Sequence, residues 1–446
     1  MTRLPLILSL LVPLVAACEL KGISLTGDDT GNDPPGTSGD PSGDPSGDPS
    51  GDPTGLTTTA DPTTEGPDST TGEPEPPVTA VDVLFVIDNS GSMANHQSRL
   101  VASIPAFLEG LEGLDLRIAV TTTDSANPRC PAAQTTPEGG KFVMRSCHAA
   151  VALGDFTFNM ADFAEACTDH CAIEDLVVAP TATADDPEPR PRNWLERTNG
   201  QLNVDAALAD ALACTMPQGV SGCGFESPLE SMYKALAQTG MPESPTNYGF
   251  LRPEADLRIV FITDEMDCSY VPEFKDIFTT NKTFWEDPDR PDATSAVCFN
   301  AGVTCTGGPG TYTECHATNH DITGAITGDP SEAVLQPLSK YVQFLQAIQA
   351  SKTGGATVRV IGLAGVPQGF ETGSVPLVYA DHPNSEQQDL FGIGPGCTAD
   401  DPLADSELEA YPPARLLEFA QPFDGQFFSI CDDDFDAAMK VAGFKP

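Results

Sequence analysis

The chain has 446 residues and a formal net charge of −43 at pH 7. This excess of acidic side chains excludes a basic phosphate-binding face, so nucleic acid and anionic lipid headgroups are not expected partners. Cations, basic surfaces and neutral glycans stay compatible with the composition.

The amino terminus has the pattern of an export signal. Arg3 precedes an apolar stretch at residues 4–17 that is too short to cross a bilayer. Val15-Ala16-Ala17-Cys18 resembles the lipobox of bacterial lipoproteins, which implies cleavage after residue 17 and acylation of Cys18. We predict a signal peptide at residues 1–17 and a lipid anchor at Cys18. The alternative is an ordinary signal peptide followed by a chance cysteine.

Residues 18–78 have the composition of a tether. Asp-Pro-Ser-Gly units repeat between Asp40 and Gly55, and Thr, Pro, Gly and acidic residues dominate the rest. With so little apolar surface to offset the entropy of ordering, we expect a disordered, extended spacer. Calcium binding by the aspartates is the alternative, but the spacing lacks the geometry of an EF-hand loop. The folded part is predicted at residues 79–446.

The first predicted strand, residues 82–87, is continuously apolar after Asp82 and ends in a polar turn. Such a run is typical of a strand buried on both faces of a sheet. Asp88, Ser90 and Ser92 follow it and offer only hard oxygen donors. These donors suit Mg²⁺, Ca²⁺ or Mn²⁺ rather than zinc or copper.

Strands and helices alternate after this turn. The patterns predict, in chain order, a helix at 95–111, a strand at 116–121, a helix at 229–236 behind Pro228, a strand at 257–263, a helix at 332–350, a strand at 358–366, a helix at 414–420, a strand at 426–430 and a helix at 434–441. This alternation indicates an α/β fold with a Rossmann-like, doubly wound and mainly parallel sheet and helices on both faces. His96 is expected on a solvated face of the first helix, with a position near the polar crevice as the alternative.

A second acidic residue, Asp264, follows a buried strand in the same way as Asp88. The carboxyl ends of parallel strands share one edge of the sheet, so both carboxylates should face one crevice. Ser227, before Pro228, either caps the next helix or points its hydroxyl into that crevice. Asp88, Ser90, Ser92 and Asp264 also have a simpler explanation, as caps of the helices that follow them.

These residues resemble the von Willebrand factor type A (VWA) domain and its metal-ion-dependent adhesion site. The first motif, Asp-x-Ser-x-Ser, stands here at residues 88–92, Ser227 corresponds to the later Thr, and Asp264 corresponds to the last Asp. The resemblance implies direct metal contacts from Ser90, Ser92 and Ser227. It implies contacts through water or hydrogen bonds from Asp88 and Asp264, and an open position for a carboxylate of a protein ligand. Mg²⁺ is the expected cation, with Ca²⁺ or Mn²⁺ as alternatives.

Two intervals, residues 127–203 and 267–329, exceed simple connections and are predicted to be disulfide-stapled insertions. Excluding Cys18 leaves 12 of the 13 cysteines, an even number that fits an oxidising compartment. Sequence neighbours suggest the pairs Cys130–Cys147, Cys167–Cys171, Cys214–Cys223, Cys268–Cys298, Cys305–Cys315 and Cys397–Cys431, although spacing does not determine connectivity. Zinc binding by Cys167, His170 and Cys171, or by Cys315, His316 and His320, is the alternative; neither has paired-ligand spacing.

The leading hypothesis is a non-enzymatic adhesion or binding module, lipid-anchored in the bacterial cell envelope, at the outer membrane or cell surface. It would coordinate a divalent cation and use it to bind a protein ligand. One alternative is a structural envelope scaffold with a non-functional metal site. A Mg²⁺-dependent phosphate-ester hydrolase is disfavoured because Ser90 stands where such enzymes need a second Asp. A serine hydrolase is disfavoured because the Gly-x-Ser-x-Gly elbow is missing around Ser90.

Overall fold

The computed structural model describes residues 79–130, 135–401 and 406–443. The predicted signal peptide, the lipidation site at Cys18 and the tether at residues 18–78 lie outside the described residues. Within the described ranges, none of the helices combines the length and apolarity needed to cross a bilayer.

Seven strands form the main sheet, and three short antiparallel pairs decorate it. The strands in chain order are β1 (Ala80–Ile87), β2 (Asp115–Thr122), β3 (Thr157–Phe158), β4 (Ala161–Asp162), β5 (Leu195–Thr198), β6 (Gln201–Leu202), β7 (Asp256–Ile262), β8 (Val303–Thr306), β9 (Glu314–Ala317), β10 (Val358–Ala364), β11 (Cys397–Asp401), β12 (Ser406–Ala410) and β13 (Gln426–Ser429).

The main sheet has the order β13-β10-β7-β1-β2-β5-β6. β1 lies parallel to both β2 and β7, and β10 lies parallel to both β7 and β13. β5 and β6 run antiparallel at one edge, so the end of the interval 127–203 adds a hairpin to this sheet. The order reverses direction at β1, as in doubly wound nucleotide-binding folds, and the prediction of a mainly parallel, Rossmann-like sheet is confirmed.

Helices cover both faces of the sheet. Those of the described residues are α1 (Ala94–Ala102), α2 (Ile104–Glu109), α3 (Cys147–Leu153), α4 (Glu165–Thr168), α5 (Leu208–Thr215), α6 (Pro228–Gln238), α7 (Ala296–Gly302), α8 (Leu338–Ser351), α9 (Ser385–Phe391), α10 (Ala414–Ala420) and α11 (Asp436–Gly443), with short 3₁₀ turns at Pro272–Phe278, Phe370–Thr372 and Gln421–Phe423.

Two apolar cores lie on opposite faces of β1 because successive side chains of a strand point in opposite directions. Phe85 and Ile87 belong to the core under α1, α2, α5 and α11. Leu84 and Val86 belong to the core under α6, α8 and α10. Every residue of β1 is buried, as the continuous apolar run predicts.

Two helix predictions are wrong in their boundaries, and proline explains both. The predicted helix at 95–111 is broken at Ser103 into α1 and α2, with Pro105 in the first turn of α2. The predicted helix at 332–350 begins only at Leu338, directly after Pro337. Proline lacks an amide proton and disfavours a helical residue before it, so it starts a new helix more readily than it continues one.

All twelve cysteines of the described residues form disulfides, but only half of the predicted pairs are right. The pairs Cys268–Cys298, Cys305–Cys315 and Cys397–Cys431 are confirmed. The pairs Cys130–Cys147, Cys167–Cys171 and Cys214–Cys223 are wrong; the bonds instead join Cys130 to Cys223, Cys147 to Cys167, and Cys171 to Cys214. Packing of α3, α4 and α5 brings together the cysteines of the last two bonds, whereas Cys130 and Cys223 lie outside these helices. The cysteines of the zinc alternatives are therefore committed to disulfides.

Candidate metal centre

Asp88 and Asp264 follow neighbouring parallel strands at the point where the sheet order reverses. The Asp88 amide continues the ladder by donating to the Ile262 carbonyl at 2.9 Å. The Thr263 hydroxyl, one residue before Asp264, donates to Asp88 Oδ2 at 2.7 Å. Both acidic strand ends therefore lie at the crevice where open α/β sheets bind ligands, as the sequence predicts.

The Ser-Gly-Ser turn folds back on Asp88 rather than capping the next helix. The Ser90 amide donates to Asp88 Oδ1 at 2.8 Å, and the Ser90 and Ser92 hydroxyl oxygens are 3.3 Å apart. The residue at the N-cap of α1 is Met93, without a side-chain cap. The explanation of Asp88, Ser90 and Ser92 as helix caps is therefore wrong for α1; Ser90 and Ser92 line the crevice instead.

Asp264 is a buried carboxylate with one unsatisfied oxygen. Its side chain is 2% exposed, and Oδ1 has no hydrogen-bond partner among the described residues. Burial, followed by the charge of Asp88, raises the pKa of Asp264 to about 8, and the Ser92 hydroxyl opposes this shift. Burial also raises the pKa of Asp88, to about 6. Ionising both carboxylates in this crevice is therefore unfavourable without a nearby positive charge.

His96 lies against this pair, not on a solvated face, so that expectation is wrong. Its side chain is fully buried, its ring stacks on Phe435, and its Nε2 is 3.9 Å from Asp264 Oδ2. Burial, with a smaller contribution from the charge of Arg99, lowers the pKa of His96 to about 3. The imidazole is therefore neutral and does not compensate the carboxylates.

Ser227 occupies the N-cap position of α6, but its hydroxyl does not cap the helix. It donates to the Cys268 carbonyl at 3.1 Å. A hydroxyl that donates one hydrogen bond keeps its acceptor lone pairs, but Ser227 is not among the residues that line the cavity beside Ser90, Ser92 and Asp264. The first amides of α6 are satisfied from a distant segment, by Asp267 at 3.2 Å and Ser269 at 3.0 Å.

Two glutamates next to predicted site residues were not anticipated. Glu226, beside Ser227, is completely buried, and burial together with the charges of Asp88 and Glu265 raises its pKa well above the usual value. Glu265, beside Asp264, lines the crevice. The only sequence signal was their position next to motif residues, because burial of a carboxylate cannot be read from a local pattern.

Aromatic rings wall the crevice. A cavity of about 230 Å³ opens over the site and is lined by Ser90, Gly91, Ser92, Phe158, Gly222, Gly224, Asp264, Glu265, Phe391 and Tyr411. Phe158, from the interval 127–203, lies against Gly91, where a Cβ would collide with its ring. Phe391 and Tyr411 stack with centroids 3.8 Å apart. A segment predicted as an insertion therefore forms part of the wall.

The donor set fits a hard cation better than a transition metal. In the part of the chain that the structure describes, no three His, Cys, Asp or Glu side chains are arranged to hold a metal together. A cation here would therefore depend on serine hydroxyls and water beside the carboxylates. Oxygen donors of this kind suit Mg²⁺, Ca²⁺ and Mn²⁺. The orphaned Oδ1 of Asp264 is consistent with such a ligand.

Comparisons with known proteins give only distant structural similarity. No protein-family model and no curated protein sequence matches the chain. The pilus adhesin SpaC from Lactobacillus rhamnosus GG, in its open conformation, is similar at 9% identity and a TM-score of 0.31, over 82% of this chain and 29% of SpaC. The vWF domain of the type V pili tip protein Mfa5 from Porphyromonas gingivalis is similar at 11% identity and a TM-score of 0.28, over 82% of this chain and 94% of that domain. The chain thus spans less than a third of SpaC, and its α/β class rests on the strand order described above.

Proposed function

We propose that this chain is a non-enzymatic, cation-dependent binding module of the VWA type. Asp88, Ser90, Ser92, Ser227 and Asp264 would hold one divalent cation, with Mg²⁺ expected and Ca²⁺ or Mn²⁺ as alternatives. The cation would bind a carboxylate of a protein ligand. The module would be exported and held at the bacterial cell envelope by a lipid on Cys18, at the outer membrane or cell surface.

One observation carries this proposal. Asp88 and Asp264 are buried side by side at the switch point of the sheet, and the imidazole beside them is neutral. Burying carboxylates without a compensating charge costs several kcal/mol by the usual order of magnitude. A bound cation would remove that cost, which gives a physical reason for the arrangement.

The cation would also explain how so acidic a protein could bind an acidic partner. With a net charge of −43, the protein repels carboxylates at long range. A bound divalent ion is the largest local charge in a site, so the site would attract a carboxylate rather than repel it. The serine hydroxyls are neutral ligands, so the ion would keep positive charge for the incoming carboxylate.

Equilibrium binding of the ion tests the proposal. Titration calorimetry with Mg²⁺ and Mn²⁺ would use the full chain carrying Cys18→Ser, with its disulfides intact. We expect saturable binding that is lost in Asp88→Asn. Asp256→Asn is the control, because Asp256 is also a buried carboxylate but lies at the opposite end of β7, with Arg258 at 3.8 Å. Absence of Mg²⁺ and Mn²⁺ binding in the parent chain would refute the proposal.

The aromatic wall of the crevice favours a second candidate, a structural scaffold whose metal site is not used. Phe158, Phe391 and Tyr411 restrict access to the serine hydroxyls. A pull-down from envelope extracts with and without chelator separates the two functions. Partners that disappear with chelator and in Asp88→Ala/Ser90→Ala support the binding module, and an unchanged set of partners supports the scaffold.

The envelope location and the lack of catalysis have separate tests. Radiolabelled palmitate should be incorporated by the parent chain and not by Cys18→Ser; label on the variant would reject the lipid anchor. Turnover of phosphate esters that is lost in Asp88→Asn would reject the non-enzymatic role.

A further inference from the structure

A second cavity adjoins the crevice on the side of the interval 267–329. It has a volume of about 400 Å³ and shares Gly224, Glu265 and Phe391 with the crevice. Residues 290–295, which belong to that interval, form most of its remaining wall. We call this cavity the side groove. Because Glu265 lines both cavities, its side chain lies where the side groove meets the candidate metal centre.

The charged side chains that residues 290–295 contribute to the side groove already have partners. Arg290 Nη1 lies 3.0 Å from Asp389 Oδ2. Asp292 Oδ1 lies 3.0 Å from Arg129 Nη1. Each of these pairs is neutral as a unit, so neither leaves a net charge in the side groove.

Glu265 differs because it has no counter-ion. The charges that act on its carboxylate are those of Asp264 and Asp88, and no basic side chain of the described residues is among them. The Ser295 hydroxyl is the neighbouring group that stabilises its ionised form. In the proposed function, the two positive charges of the ion would offset those of Asp88 and Asp264. The incoming carboxylate would then add a negative charge beside that of Glu265, so the complex lacks one positive charge.

The size and the walls of the side groove suit a long basic side chain. Its volume of about 400 Å³ lies within the usual range of ligand sites. Phe225 and Phe391 line it beside Glu265. Aromatic rings attract ammonium and guanidinium groups, and the apolar stems of lysine and arginine pack well on such rings. The net charge of −43 also attracts a basic group from a distance.

We propose that the side groove binds a lysine or arginine side chain of the partner protein, and that Glu265 pairs with its charged head. This inference rests on the proposed function and narrows its ligand to an acidic residue with a basic residue beside it. The acidic residue would bind the cation in the crevice. The basic residue would supply the missing positive charge through a charge-assisted hydrogen bond to Glu265.

Binding of short peptides in saturating Mg²⁺ tests this inference. The probes are acetyl-Gly-Asp-Gly-amide, acetyl-Gly-Asp-Lys-amide and acetyl-Lys-Asp-Gly-amide, titrated against the full chain carrying Cys18→Ser and followed by saturation-transfer NMR. The better of the two lysine peptides should bind about tenfold more tightly than the glycine peptide, the usual size for a hydrogen bond between charged groups. The readout is this ratio of affinities, because a change of charge beside Asp264 also affects binding of the ion itself.

Two substitutions of Glu265 and one control give the ratio its meaning. Glu265→Gln should reduce the ratio to about one. Glu265→Lys should reverse the preference, so that a peptide with glutamate in place of the lysine binds more tightly than the glycine peptide. The control Asp185→Asn removes the same charge from an exposed residue beside the amino ends of β2 and β7, and should leave the ratio unchanged. Circular dichroism verifies that each variant is folded.

The outcomes separate this inference from the proposed function. Equal affinities for the lysine and glycine peptides, with binding that is lost in EDTA, overturn the role of the side groove and leave the proposed function standing. Binding of the glycine peptide that persists in EDTA contradicts the proposed function instead. Complete loss of Mg²⁺ binding in Glu265→Gln would make Glu265 a ligand of the ion, and the inference would fail. If Mg²⁺ binds but none of the three peptides does, both capture of a carboxylate and the inference fail.

Discussion

Replacing Asp264 by asparagine should change the stability of the protein in opposite directions with and without a divalent cation. In EDTA, Asp264→Asn removes a buried carboxylate whose Oδ1 has no partner among the described residues. The variant should therefore be more stable than the parent. In saturating Mg²⁺ the parent gains binding free energy that the variant loses, so the order of stability should reverse.

The pKa shift of Asp264 sets the size of the effect. Its pKa is about 8 in the folded protein against an ordinary value of 3.8, so at pH 7 folding must protonate a group that is ionised in the unfolded chain. At about 1.4 kcal/mol per pH unit, the cost approaches roughly 4 kcal/mol. The asparagine amide must also find partners, at a cost of about 2 kcal/mol. The free energy of unfolding of the variant should therefore exceed that of the parent by about 2 kcal/mol. For a domain of this size, this corresponds to a rise in Tm of roughly 3 °C.

Scanning calorimetry at several pH values measures this difference. The carboxylate cost is zero below the unfolded pKa, grows as the pH rises, and is complete above the folded pKa. In EDTA, the stability difference between Asp264→Asn and the parent should therefore widen from about pH 4 to about pH 8. When the Mg²⁺ concentration is about 100 times the dissociation constant, binding should raise the parent's free energy of unfolding by roughly 2.7 kcal/mol. A variant that is less stable than the parent in EDTA at pH 7 would show that this carboxylate is compensated, and the reasoning would fail.

Three further predictions concern the supporting structure. Arg415→Met should lower the free energy of unfolding by about 3–5 kcal/mol in chemical denaturation, because it strips the buried Asp267 of an ion pair at 3.0 Å. A non-reducing digest analysed by mass spectrometry should recover the peptide that joins Cys130 to Cys223. Gly222→Ala should lower the free energy of unfolding by about 1–3 kcal/mol, because its Cβ would collide with the side chain of the asparagine that follows Asp88; thermal unfolding measures this loss.

Each of these three predictions has an outcome that would contradict it. Adding Asp267→Asn to Arg415→Met should recover part of the lost stability, and no recovery would show that the charge of Asp267 is not the cause. Recovery of a peptide that joins Cys130 to Cys147 would contradict the Cys130–Cys223 bond and support the pairing suggested by sequence proximity. An unchanged Tm in Gly222→Ala would show that this loop is not packed against the turn after β1.

The sheet and the position of the candidate site could be predicted because each depends on a local pattern. A mainly apolar run that leads into an acidic residue identifies β1 and β7, and the parallel sheet then brings Asp88 and Asp264 together without further information. The disulfide Cys305–Cys315, which joins the neighbouring strands β8 and β9, was predictable for the same reason. The serine turn was predictable in its residues, although only the structure shows that Ser90 bonds back to Asp88.

What the sequence could not reveal depends on packing between distant segments. Cys171 pairs with Cys214 because the segment after α4 packs in the same small core as α5, and their separation of 43 residues gives no hint of it. His96 has the spacing of an exposed helical residue, yet the chain near Phe435 covers it. Glu226 is buried because the end of β2 encloses it. In each case the deciding contact lies far away in sequence, where periodicity carries no information.

β1 links Ala80, near the start of the described residues, to the crevice at its other end. Its eight residues cover roughly 26 Å at about 3.3 Å each. β2 accompanies it along its whole length, and β7 accompanies it from Val81 onward. A pulling force applied between Ala80 and a molecule bound at the crevice would therefore act along the strand. It would shear the hydrogen bonds that join β1 to β2 and to β7. Many hydrogen bonds would have to break together, which favours slow rupture under force, a property set by the unfolding rate rather than by equilibrium stability.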